Sequence, residues 1–147
     1  LRAAMPQLHE GAPTLKREAS LVRAYLELMQ MRMPDRLQYA LSIEPQLHAL
    51  RLPPLSLLTL VENAVRHGID PSENGGRIEV GAERHPSGVR LWVRDSGRGL
   101  DETHAPGTGL ANLRERLKAA YGERASLTLS AEQPHGVLAE LVLPADA

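Results

Sequence analysis

Cysteine is absent from the 147 residues, which excludes a disulfide framework, a thiol nucleophile and any cysteine-based zinc site. Phe is absent too and there is one Trp, so the core must be built from Leu, Val, Ile and Ala. No apolar run approaches the roughly 18–20 residues that cross a bilayer, and no signal-peptide pattern opens the chain. An excess of one charge is also missing. With a net charge of −1 and acidic and basic residues interspersed, the chain lacks the clustered positive footprint of a nucleic-acid binder, and no nucleic-acid partner is expected. There is no internal repeat and no low-complexity tract. The length suits one domain with one core, and the start at Leu1, inside what reads as a helix, suggests a fragment whose upstream regions lie elsewhere.

The order of elements follows from periodicity. From Thr14, a plausible N-cap, to about Met33, the residues Leu15, Val22, Leu26 and Met29 recur at helical spacing until Pro34. Leu37, Tyr39, Leu41 and Ile43 alternate as in a half-buried strand. Pro53 and Pro54 open a helix that runs to about His67, with Gly68 as its stop. Strands are predicted over 77–84 and 88–95, joined at Pro86-Ser87-Gly88. A polar, glycine-rich loop spans 96–108, and a helix over 109–121 carries Leu110, Leu113 and Leu117 on one face, with Gly122 as its stop. Two strands near 126–132 and 136–143 finish the chain. This order has too few parallel crossovers for a doubly wound sheet. It predicts an α+β fold, a two-layer sandwich with a mixed, mainly antiparallel sheet and helices on one face.

The helix at 54–67 concentrates its polar residues. At helical spacing, Ser56, Thr59, Glu62, Asn63, Arg66 and His67 share an arc of roughly 140°, opposite the apolar side chains. One reading is a solvated face with a Glu62–Arg66 pair and a His67 favourably placed at the negative end of the helix dipole. The other is a ligand-facing surface. Downstream, Asp95-Ser96-Gly97-Arg98-Gly99 leaves a strand. It is either an ordinary turn or a site where glycines admit a flat ring and the carboxylate accepts a hydrogen bond from an exocyclic amino group such as that of adenine. Gly107-Thr108-Gly109-Leu110 precedes a helix. The glycines either ease a sharp entry into that helix or leave its first amides open to phosphate. Neither cluster matches a Walker-type loop or a dinucleotide fingerprint.

In order, these pieces resemble a known set. Leu60–Gly68 resembles the N box of the GHKL ATPases with the Bergerat fold, Asp95–Leu100 their first glycine box, and Gly107–Leu110 their second. Ala24-Tyr25-Leu26-Glu27-Leu28, Met31–Leu37, Leu52-Pro53-Pro54 and Gly109–Leu117 are similar to the LytS-type sensor histidine kinases, over about residues 14–143. The resemblance implies a signal-transducing catalytic domain over 34–147, preceded at 1–33 by an N-terminal segment and a linker helix from the dimerisation region. The alternative reading of the linker's apolar stripe is a surface that packs on this domain's own sheet. ATP and Mg²⁺ are the implied ligands. Asp95 would hold the adenine amino group, with Gly97 and Gly99 giving the ring room. Asn63 would coordinate the metal, and Arg66 and His67 would neutralise phosphate charge. The amides of Gly107, Thr108, Gly109 and Leu110 would meet the phosphate tail, and Glu62 would polarise the acceptor or a water.

Nothing in the chain matches the family's phosphoacceptor segment, and none of His9, His48, His67, His85, His104 and His135 suits that role. The acceptor is therefore expected on dimerisation helices outside this sequence, with a response regulator downstream. The domain itself is expected in the cytoplasm, of a protein that can be anchored in the inner membrane. The lack of Phe agrees with the short lid of these kinases. A nucleotide-sensing pseudokinase, an anti-sigma-factor-type serine kinase or hydrolase, and an interaction module without nucleotide are the competing readings.

Overall fold

The computed structural model describes residues 11–99 and 108–144. Helix α1 (Leu15–Arg32) leads into strand β1 (Leu37–Ile43), and helix α2 (Ser56–Ala64) continues as a π-helical turn over Val65–Ile69. Strands β2 (Gly76–His85) and β3 (Gly88–Asp95), helix α3 (Thr108–Tyr121) and strands β4 (Ser126–Ala131) and β5 (Val137–Leu143) follow. The sheet order is β1-β2-β3-β5-β4; only β1 and β2 run parallel. This is the mixed, mainly antiparallel sheet that the element order predicts.

The alternation along the strands decides where the helices lie. Val89, Leu91, Val93 and Asp95 of β3 are buried, while Arg90, Trp92 and Arg94 point the other way. The inward residues stack in register across the strands, Ala82 beside Leu91, Leu91 beside Leu141 and Leu141 beside Leu127. Leu57, Leu60, Val61, Leu110, Leu113 and Leu117 of α2 and α3 join them in one core. The opposite face carries charge: Arg90 pairs with Glu140 at 2.6 Å and Glu83 at 3.2 Å and lies over the Trp92 ring.

Helix α1 belongs to the same core. Leu15, Val22 and Leu26 are fully buried, each contributing about 1.5–3 kcal/mol of transfer free energy. Its Thr14 side chain accepts from the Arg17 amide at 3.3 Å, the N-cap that the sequence predicts. The helix is also tied down through polar groups, because Glu18 is fully buried. The Glu18 Oε2 accepts from the Leu55 amide at 2.8 Å and Oε1 from the Leu57 amide at 3.0 Å. Amides at the start of a helix lack an intrahelical acceptor, and Glu18 supplies one to two of them.

This contact moves the start of α2 from where the prolines place it. Leu55 is left-handed (φ 65°), so Pro53 and Pro54 stand in a turn outside the helix and α2 begins at Ser56. Ser56 is buried and its Oγ donates to the Pro53 carbonyl at 2.6 Å, which takes it off the polar face. The predicted stop at Gly68 also differs: Gly68 lies within the π-helical turn and is not left-handed, whereas Gly122 (φ 61°) does end α3 in that way.

Glu18→Ala should lower unfolding free energy by about 2–4 kcal/mol in urea titration, because two amides lose their acceptor inside the protein. Glu18→Gln should lose less, since it keeps one acceptor oxygen. A loss for the alanine variant below roughly 0.5 kcal/mol, the level of an ordinary surface change, would contradict the assignment.

Candidate functional site

The polar face of α2 borders a cleft of about 260 Å³, lined by Thr59, Glu62, Asn63, Arg66, His67, Gly109 and Leu110. The N-terminal turn of α3 thus stands across from the side chains that the helical spacing groups together. Glu62 and Arg66 are exposed, Asn63 and His67 half-buried. Among the described residues no ion pair joins Glu62 to Arg66, so the carboxylate and the guanidinium both face the cleft without being spent on each other. Thr59, which the spacing puts on the polar face without assigning it a role, lies 3.5 Å from where a β-carbon on Gly109 would sit. Gly107 lies outside the described residues, and Thr108 is the first residue of α3.

At the far end of α2, the π-helical turn meets the end of β3. A β-carbon on Gly68 would stand 2.7 Å from Asp95 Oδ1, and one on Gly97 would collide with the Gly68 carbonyl. The Arg98 amide donates to that same carbonyl at 2.9 Å. Glycine is required at both positions by this approach rather than by a left-handed backbone. From the other side, the Arg36 guanidinium donates to the carbonyls of Ile69, Asp70 and Ser72 at 3.0, 3.0 and 2.7 Å, which satisfies the acceptors left where the helix ends. The Arg32–Asp70 ion pair adds a fourth tie at 2.9 Å.

Asp95 is 3% exposed. Burial pushes its carboxyl up to about 6; hydrogen bonds from the Gly97 and Val137 backbone oppose the rise, as does nearby His135, while Glu132 adds to it. The Gly97 amide donates to Asp95 Oδ1 at 2.9 Å. Asp95 does not line the 260 Å³ cleft; it borders a separate recess of about 190 Å³ with Arg77, Glu79, Arg94, Ser96, Glu132, Gln133, Pro134 and His135. The structure therefore brings Glu62, Asn63, Arg66, His67, Gly109 and Leu110 together around one space. Asp95 and Gly97 join them only through Gly68, at the end of the same helix. Gly99 (φ 96°) lies near the Gly136 amide.

His135 was not distinguishable from an ordinary turn residue in the sequence, yet its Nδ1 is 2.9 Å from the Gly97 carbonyl. Its only sequence signal is a position in the β4–β5 turn, next to Gly136. Among the described residues, no group of three His, Asp or Glu side chains is arranged to hold a metal ion, and no helix is long and apolar enough to cross a membrane.

Residues 54–147 match the family of histidine kinase-, DNA gyrase B- and HSP90-like ATPases. Sensor histidine kinase YesM of Bacillus subtilis is 30% identical over 136 residues, covering 89% of this chain and 24% of that protein. Sensor histidine kinase/phosphatase LytS of Staphylococcus aureus is 34% identical over 128 residues, covering 78% of this chain and 22% of that one. The fold matches the histidine kinase AdeS of Acinetobacter baumannii with a TM-score of 0.71 at 17% identity, over 97% of this chain and 70% of the other. The chain belongs to the histidine kinase-, DNA gyrase B- and HSP90-like ATPase family. The curated relatives named above are sensor histidine kinases, and the chain spans about a quarter of their length.

Because the folded carboxyl of Asp95 holds its proton more tightly than the unfolded one, the folded state binds more protons between about pH 4 and 6. Its contribution to stability is therefore greatest below pH 4, falls as pH rises to about 6, and is flat above. The unfolding midpoint of Asp95→Asn should gain on that of the parent across this window. A constant difference from pH 4 to 7 would contradict the raised value. Gly97→Ala should cost about 1–3 kcal/mol in urea unfolding, as overpacking does, because the added methyl meets backbone rather than a side chain that can turn away.

Proposed function

We propose that the domain binds Mg-ATP with its phosphates between α2 and α3 and its adenine toward Asp95, and transfers the γ-phosphoryl group to a histidine on a helix outside this sequence. The observation that carries the reading is the cleft in which Asn63, Arg66 and His67 face the first turn of α3. Backbone amides at the start of a fourteen-residue helix attract anions, so Gly109 and Leu110 suit a phosphate tail, with Gly107 and Thr108 preceding them. At about 260 Å³ the cleft is smaller than the ~300–1,000 Å³ of pockets that enclose a whole ligand, which fits the tail rather than the complete nucleotide.

The donor set suits Mg²⁺. It is a hard cation that keeps several waters and takes few protein ligands alongside phosphate oxygens, so the half-buried Asn63 carboxamide is sufficient. When bound, the ion neutralises phosphate charge. The chain's own groups do the rest: Arg66 and His67 neutralise phosphate charge, and Glu62 polarises the incoming acceptor or a water. Asp95 accepts from the adenine amino group, with Gly97 and Gly99 leaving space for the ring. Phosphoryl transfer depends mainly on positioning and charge stabilisation, so the domain needs no covalent nucleophile.

In the whole protein, residues 1–33 lead in from the dimerisation region and 34–147 carry the catalysis. Leu21, Leu28 and Met31 are 40%, 58% and 78% exposed along α1, an apolar line suited to a neighbouring helix. A response regulator receives the phosphoryl group downstream. The domain works in the cytoplasm, and the rest of the protein can supply a membrane anchor.

Calorimetric titration with Mg-ATP tests the reading. The parent domain should bind, and Asp95→Asn should weaken binding about 10- to 100-fold, the usual effect of losing a charged hydrogen-bond partner. Asn63→Ala should lose the difference between ATP with and without Mg²⁺ and should fail to phosphorylate an added acceptor-helix fragment. Nucleotide-independent calorimetric traces from the parent domain would overturn the proposal. Binding without phosphorylation would identify a nucleotide sensor instead.

A further inference from the structure

The turn that carries Asp95 and Gly97 is held from two sides. On one side lies the Gly68 carbonyl, which accepts from the Arg98 amide. On the other lies the β4–β5 turn, which no nucleotide-facing motif in the sequence includes. There, His135 Nδ1 stands 2.9 Å from the Gly97 carbonyl. A carbonyl oxygen can only accept, so Nδ1 carries the proton in this bond. Gly136 (φ 118°) packs so close to Asp95 that a β-carbon would collide with the Asp95 carbonyl oxygen, and the Glu132 amide closes the turn by donating to the Gly136 carbonyl at 3.0 Å. The turn therefore cannot drift away from the strand end, and the imidazole is delivered to Gly97 by a close backbone fit.

The geometry points to His135 as a positioning residue of the nucleotide site: by donating Nδ1–H to the Gly97 carbonyl, it fixes the turn whose amide meets Asp95 and whose glycine admits the adenine ring. This role rests on the Mg-ATP reading above. It acts through Gly97 and requires no contact between His135 and nucleotide. The same peptide chain links the three groups: His135 holds the Gly97 carbonyl, the Gly97 amide donates to Asp95 Oδ1 at 2.9 Å, and the next amide, of Arg98, donates to Gly68. Releasing the carbonyl allows the peptide planes to rotate and the Asp95 acceptor to lose its fixed direction. His135 is exposed, so its removal leaves no cavity in the core.

Two variants and three readouts test this. His135→Ala should weaken Mg-ATP binding about five- to tenfold, the worth of one hydrogen bond, with at most a small fall in the thermal midpoint. His135→Asn, whose amide can donate from nearly the same place as Nδ1, should restore most of the affinity. Hydrogen exchange at the Arg98 amide, measured without nucleotide, should quicken in the alanine variant and return toward the parent rate with Asn. Unchanged affinity and exchange in His135→Ala would overturn the role. Equal losses in both variants accompanied by a much lower midpoint would overturn it too, in favour of a purely structural contact. If the parent domain fails to bind Mg-ATP, the nucleotide reading falls with its positioning role, while the exchange rates still report whether His135 clamps the turn.

Discussion

The whole site depends on a backbone-to-backbone approach between the end of α2 and the end of β3. Gly68 and Gly97 meet without side chains between them, and the Arg98 amide closes the contact on the Gly68 carbonyl. Apolar burial brings helix and sheet together but is non-directional, so it does not set the rotation of one against the other. The glycine contact does. It places the Asp95 carboxylate against the same helical segment that presents Asn63, Arg66 and His67, and a methyl group on either glycine would separate them.

Two buried carboxylates show how environment divides labour between chemically similar groups. Glu18 accepts from two amides at the start of α2 and so locks α1 onto that helix. Asp95 is desolvated, and the amides around it offset that only in part, so its carboxyl rises to about 6. A group whose charged form is disfavoured in the folded protein is a local cost to stability, of a kind that collects where a ligand is to be met. The two acids thus sit at opposite ends of the helical run 56–69, one fixing α1 and the other packed against Gly68.

The supports around the site come from elements distant in sequence. Arg36, just before β1, gathers three carbonyls from the end of the π-helical turn and the residues that follow it, and His135, in the β4–β5 turn, reaches Gly97 from the opposite side. The charged face of the sheet, with Arg90 between Glu83 and Glu140 and stacked on Trp92, keeps the strands' outer surface polar. That leaves the helical layer as the only apolar partner for the inner face among the described residues, and so keeps α2 where the strand ends can reach it.

Periodicity and punctuation in the sequence determined the elements and their order to within a few residues, because side-chain spacing on a helix or strand is a local property. They also grouped Glu62, Asn63, Arg66 and His67, since one helix carries all four. Only the tertiary structure decided why a glycine stands where it does. Gly122 and Gly68 both follow a helical run, yet one ends its helix through a left-handed backbone and the other makes room for Asp95. Leu55, Glu18 and His135 were equally silent in the sequence, because a left-handed turn after two prolines, an acid buried under a distant helix and an imidazole aimed at a carbonyl each depend on a partner far away along the chain. Such contacts are settled by packing, and a one-dimensional pattern does not contain their distances.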